Sequence, residues 1–178
     1  MENQQNQTQQ IILNNGLILG FVSVVYAIIR YAMGKHLEND WTVSVISFVI
    51  MLAVIGYGIY LFKQANEGFL TISQGLKIGV GIALVGGIIS VIYTYIFTTY
   101  IEPDFANQLL ILQEQQILEK YPDFTDEQLE SAANMTKKFT SSGAMAAFGI
   151  MGSLFFGLIV SLIVSLFLRK SQENPYTN

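Results

Sequence analysis

The chain has no cysteine, a single histidine and three prolines in 178 residues. The lack of cysteine excludes a disulfide framework, a thiolate metal site and a cysteine nucleophile. One histidine excludes a His-rich metal centre. Charge is scarce too: Asp, Glu, Lys and Arg make up 12% of the sequence, about half the share usual in soluble domains. Nine basic residues stand against thirteen acidic ones with no basic stripe, which argues against nucleic acid as a partner. There is no phosphate-binding glycine loop, zincin motif or nucleophile elbow.

What is abundant is apolar. The hydrophobic set reaches 52% and the mean hydropathy is +0.45. The charges are few because four long runs exclude them: Ile11 to Ile29, Trp41 to Phe62, Ile78 to Ile101 and Phe139 to Leu168. A helix of ~20 residues crosses a hydrocarbon core of ~30 Å. Backbone groups facing lipid must be paired within their own segment, and none of the runs has the alternation of a barrel strand. The expected fold is all-α: a single polytopic membrane domain, residues 1–178, with a four-transmembrane-helix bundle and an extramembrane helical hairpin between spans 3 and 4. The spans are placed at about 11–33, 41–62, 76–100 and 144–168, and the hairpin at 102–143. The opening MENQQNQTQQ has no Lys or Arg, and the apolar run after it is too long for a signal-peptide core. It reads as a short disordered polar tail.

The connections are uneven. Gly34 to Asp40 reads as a tight turn and Lys63 to Gln74 as a modest loop. Thr71 and Gln74 have capping-box spacing, so the third helix is expected to begin near Ile72. The segment Glu102 to Gly143 holds eight acids and three lysines and carries all of the net negative charge. Pro103 suits a first helical position, with Asp104 in the first turn. Phe105, Leu109 and Leu112 share a face, with Leu110, Ile117 and Tyr121 beside it. After YPDFT, Thr125 and Gln128 form a second capping box, opening a helix to about Phe139 that ends in Lys137 and Lys138. Leu129, Ala132, Ala133, Thr136 and Phe139 are expected to face the inside of the hairpin. The first arm is too apolar to stand free, so Leu109, Leu112 and Leu129 are the candidate partner face.

Within lipid, close backbone approach drives helix association. Stripes of small residues mark the expected contacts: Gly16, Gly20, Ser23 and Ala27 in the first span, and Gly75, Gly79, Ala83 and Gly87 in the third. The fourth span carries Gly149, Ser153, Gly157, Ser161 and Ser165. Trp41, Tyr57, Tyr60, Phe62, Tyr93, Tyr95 and Tyr100 fall at span ends, as an aromatic belt does. The side holding the termini has Lys63, Lys77, Arg169 and Lys170. The other has Arg30, Lys35, Lys137 and Lys138 near span ends, with Lys120 further out. Arg169 and Lys170 abut the fourth span directly, which favours cytoplasmic termini in a multi-pass protein of the cell membrane.

Few residues offer chemistry. Arg30, close to a span end, reads as an interfacial anchor; the alternative is a contact to a lipid head group or anion. Asn14 and Asn15 read as part of an entry turn. Ser73 and Lys77 have dyad spacing at the start of the third helix, where capping and snorkelling account for them. His36 with Glu38 and Asp40 is a weak metal fragment, and the hairpin acids lack EF-hand spacing. No acid lies at mid-membrane. Neither enzymatic activity, nor a metal site, nor any cofactor is expected.

The stretch GFLTISQGLKIGVGIALVGGIISVIYTYIFTTYIEPDFANQLL, residues 68–110, combines G-x-x-T, QG-x-K-x-G, a glycine-rich span, IY-x-Y and I-x-P-D-F. With the opening NG-x-x-LG (Asn15, Gly16, Leu19, Gly20), the acidic insertion and the final basic pair, it resembles the small bacterial four-span proteins catalogued as domain of unknown function 4199. The resemblance implies a fold and an address in a bacterial inner membrane, and no activity or site residues. The expected partners are membrane lipid and a membrane protein or a second copy of the chain. The expected role is a non-enzymatic scaffold or accessory subunit acting through the 102–143 hairpin. The alternative is a small transporter or channel component with a path along the Ser/Gly face of span 4.

Overall fold

The four charge-free runs fold as four long helices, each apolar and long enough to cross a membrane. A computed structural model of the chain describes residues 2–38 and 40–170. Its helices are α1 (Glu2–Ala32), α2 (Trp41–Ala65), α3 (Ile72–Ile96), α4 (Phe105–Lys120), α5 (Asp126–Phe139) and α6 (Ser142–Leu168). A π-helical turn, Phe97–Ile101, extends α3. The protein is an all-α polytopic bundle with a helical hairpin, α4–α5, between its third and fourth spans.

Local chemistry sets several boundaries. Thr71 caps α3 and Thr125 caps α5, each in a reciprocal box with the glutamine three residues on. Asp40 caps α2 by accepting from the Val43 amide, 3.1 Å. Two expected boundaries are corrected. The polar start is helical from Glu2, since glutamine has good helix propensity and the tail extends a helix already nucleated; only Met1 of that stretch lies outside the described residues. Pro103 precedes α4 rather than opening it. Asp104 is the N-cap residue, and its carboxylate takes the Asn107 amide, 2.7 Å, in place of a backbone amide.

Packing centres on α3. Its small-residue stripe meets that of α6 in antiparallel register, stepping four residues at a time. A methyl built on Gly75 would lie 2.9 Å from Ser165 Cβ, on Gly79 2.6 Å from Ser161 Cβ, and on Gly87 2.9 Å from Ser153 Cβ. Gly157 receives the Ala83 methyl between them, and Gly149 meets Val91. These separations leave no room for Cβ atoms on both helices. Ser161 and Ser165 are fully buried, and the Ser153 hydroxyl donates across the interface to the Ala83 carbonyl, 2.5 Å.

The opposite face of α3 meets α1 running parallel. Here the glycines sit on α1 and the branched residues on α3. A Cβ on Gly16 would be 2.5 Å from Val85 Cβ, and one on Gly20 would be 2.6 Å from Ile89 Cβ. Two reverse contacts, Ile12 over Gly81 and Leu19 over Gly86, complete the seam. Asn15 belongs to this core and not to an entry turn. It is 2% exposed and lies beside Gly58 of α2. Its amide donates to the Ile11 carbonyl, 2.8 Å, and its Oδ1 has no partner. Asn14 faces outward.

At the end near the chain termini the bundle is clasped. Leu70, fully buried, exchanges two backbone hydrogen bonds with Lys170, 2.9 and 3.0 Å. The Lys170 ammonium sits over the Phe69 ring, 5.6 Å from its centre.

Gly79→Leu should therefore destabilise the bundle by about 1–3 kcal/mol. Gly143→Ala, which meets open space, should be neutral or slightly stabilising. Combining Gly79→Ser with Ser161→Gly, which exchanges the two sides of one contact, should recover most of the loss. Thermal unfolding in detergent reads all three.

Candidate functional site: a crevice on the hairpin side

Glycine occurs in α2 only in its second half, at Gly56 and Gly58, so only that half can approach its neighbours closely. Ile55, Gly58, Ile59 and Phe62 are accordingly buried. The first turns stand away: Val45, Ile46 and Val49 are exposed, and Trp41 at its start is 78% exposed. The bundle is thus closed at one end and open at the other.

The opening has a floor and walls. Gly86, Gly87, Ser90 and Thr94 of α3 form the floor of a half-open cavity of about 210 Å³. Ser23 of α1, Ser47 and Met51 of α2, and Met145 and Ser153 of α6 surround it. A second cavity of about 270 Å³ continues along Thr94 and Thr98, beside Ser142 and Met145. A third of about 140 Å³ lies where α1 ends, lined by Thr94 and Thr98 with Arg30, His36, Phe97 and Phe105. Thr94 borders all three.

Four hydroxyls along this lane are already committed as donors. Ser23 donates to the Leu19 carbonyl (2.8 Å), Ser90 to Gly86 (3.0 Å), Thr94 to Ser90 (2.9 Å) and Thr98 to Thr94 (2.9 Å). They leave a lining that is mostly hydrocarbon. Of the expected span 4 path, Ser153 borders this space, whereas Ser161 and Ser165 are fully buried against the glycines of α3.

An aromatic cluster closes the upper end. The π turn brings Phe97, 7% exposed, against Tyr31 (5.1 Å between ring centres), His36 (6.1 Å) and Phe105 (5.7 Å). Both His36 ring nitrogens are buried with no hydrogen-bond partner. Glu102 ties three elements together: it accepts from the Tyr31 hydroxyl, 3.1 Å, and from the Gln108 amide, 2.7 Å. Arg30 Nη2 donates to the main-chain carbonyls of Lys35, 2.5 Å, and Glu38.

The remaining sequence candidates do not converge here. Asp40 serves as a cap and His36 turns into the aromatic cluster, so His36, Glu38 and Asp40 form no common site. Ser73 and Lys77 are exposed on the first turns of α3. In the hairpin, Leu129 faces inward with Ala132 and Ala133, against Leu110 and Ile117 of α4. It is therefore no part of an outward face, and Leu109 and Leu112 are half-buried. Thr136 also points inward and bonds Gln113, but Phe139 leaves the hairpin and packs on Phe148 of α6, 5.2 Å. The residues missed from sequence are Glu102, Tyr31 and Phe97. Phe97 and Glu102 are marked only by the dense aromatic run around the end of the third span, and Tyr31 only by its place at the end of the first.

Replacing Glu102 by Ala removes its bonds to Tyr31 of α1 and to Gln108 of α4, a local cost of ~1–3 kcal/mol. Amide exchange across residues 97–108 should accelerate while the α3–α6 interface keeps its protection; Glu102→Gln, which keeps an acceptor, should be milder. Hydrogen-exchange mass spectrometry measures both.

A family model described as "Protein of unknown function (DUF4199)" matches residues 14–170. No curated protein and no solved structure matches the chain. The match runs from within the first span through the hairpin and the other three spans, and the protein belongs to the DUF4199 family.

Proposed function

We propose that this multi-pass membrane protein is a non-enzymatic accessory subunit whose hairpin docks a second membrane protein. One observation carries the reading. The hairpin satisfies its inner face by packing Leu110 and Ile117 on Leu129, Ala132 and Ala133, yet keeps apolar residues on its outside. Ile111 and Leu118, two turns apart on one face of α4, are 57% and 41% exposed. An exposed apolar stripe on a helix bearing Glu114, Glu119 and Lys120 is the pattern of a surface that another protein covers. The anchoring supports the same reading, because the hairpin is held near its two ends, by Phe105 on Phe97 and by Phe139 on Phe148.

Photo-crosslinking in native membranes tests it, with the probe at Ile111 and then at Leu118. A discrete heteromeric adduct is expected from both positions and none from Leu129, which faces inward. A dimer-sized adduct would identify the partner as a second copy. No adduct from either outward position would overturn the proposal.

We further propose cytoplasmic termini in the cell membrane, following Arg169 and Lys170 at the end of α6. Single cysteines at Glu67 and Asp123 report on opposite sides of the cysteine-free chain. An impermeant maleimide applied to intact cells should label Asp123→Cys and spare Glu67→Cys; the reverse pattern inverts the orientation.

A further inference from the structure

The hairpin-side crevice has dimensions and chemistry of its own, independent of what the hairpin docks. From Gly87 to Thr98 along α3 its floor rises by about 16 Å, at 1.5 Å per helical residue. That is roughly half of a ~30 Å hydrocarbon core, the depth of one leaflet. Ser90, Thr94 and Thr98 have their protons engaged by carbonyls one turn back, so they offer little to a hydrated ion and no obstacle to a hydrocarbon chain. Met51 and Met145 form part of its walls, and unbranched thioether side chains adapt to chains of irregular shape.

The upper end of the same lane has the opposite character. Arg30 borders the third cavity with its Nη2 on two neutral carbonyls, which leaves its charge uncompensated and its other donors without a partner among the described residues. His36 borders the same cavity. A neutral imidazole carries one N–H, and both of its nitrogens are buried without partners. A buried donor without an acceptor is costly, and an unpaired guanidinium at the edge of the hydrocarbon attracts an anion. Of the carboxylates near this cluster, Asp40 caps α2 and Glu102 is engaged with Tyr31 and Gln108.

From this juxtaposition we propose that the crevice binds an anionic phospholipid of the hairpin-side leaflet. Its acyl chain lies along α3 between Gly87 and Thr98, and its phosphate meets Arg30 and His36.

The test uses the full chain in phosphatidylcholine nanodiscs containing a small share of phosphatidylglycerol with a photoactivatable diazirine in its acyl chain. The same diazirine on phosphatidylcholine serves as reference. Phosphatidylglycerol should label peptides covering residues 86–98 and 142–153 in preference to the outer faces of the spans, and phosphatidylcholine should not. Arg30→Gln should lower that labelling about tenfold, and Arg30→Lys much less. Ser90→Leu, which fills the floor and keeps Arg30 and His36, should abolish it, and serves as the deciding variant if Arg30→Gln does not fold. Equal labelling by the two lipids overturns the proposal, as does labelling that Ser90→Leu leaves unchanged. Excess inorganic phosphate should have no effect; loss of the lipid preference in its presence would assign the head-group site to free phosphate and overturn the lipid.

Discussion

The close approach of α3 and α6 is the constraint on which the rest of the structure depends. In a bilayer the lipid tails are as apolar as leucine, so helices gain by approaching closely and not by hiding from solvent. The two helices do this by matching small residues in register: Gly75 with Ser165, Gly79 with Ser161, Ala83 with Gly157 and Gly87 with Ser153. With one face of α3 engaged in this way, the opposite face is left for α1, where the glycines change sides. The position of α2 follows. It has glycine only in its second half, and its buried residues lie there, with Gly58 beside Asn15 and Ile82.

The asymmetry of the molecule has the same origin. Its tight end is made by buried residues of α2 and by the backbone bonds between Leu70 and Lys170. Toward the other end the serines and threonines of α3 no longer meet a partner helix closely, and a lane opens beneath the loop after α1. The π turn at Phe97–Ile101 sits where this lane ends. Single π turns within helices are common at functional sites, because the extra residue rotates the side chains beyond it. Here that rotation accompanies the seating of Phe97 among Tyr31, His36 and Phe105.

Much of the fold was legible in the sequence because it is written in short-range chemistry. The capping boxes at Thr71 and Thr125 need only a spacing of three, and the four spans need only the absence of charge. The glycine stripes were visible as stripes, but their pairing joins positions 66 to 90 residues apart in sequence, and no local pattern encodes it. The candidate site was less visible still. Its floor is built from Ser90, Thr94 and Thr98, which read individually as ordinary residues of a span. Glu102 looked like one acid among eight, and only the folded arrangement shows that it joins Tyr31 to Gln108. Leu129 lies on the inner face of the hairpin, where the sequence reading also put it, against Leu110 and Ile117. Helical periodicity puts it on an apolar face, and which way that face turns is decided by α4.

The exchange of backbone hydrogen bonds between Leu70 and Lys170 has a mechanical corollary. It joins the connection between α2 and α3 to the far end of α6, so the long helices share a pivot at one extremity. α6 has 27 residues and is therefore about 40 Å long. Rotating it by one degree about that pivot carries its opposite extremity sideways by ~0.7 Å, given that length. The molecule has the geometry of a pair of tongs: angular changes too small to disturb the grip become displacements of atomic size between the tips.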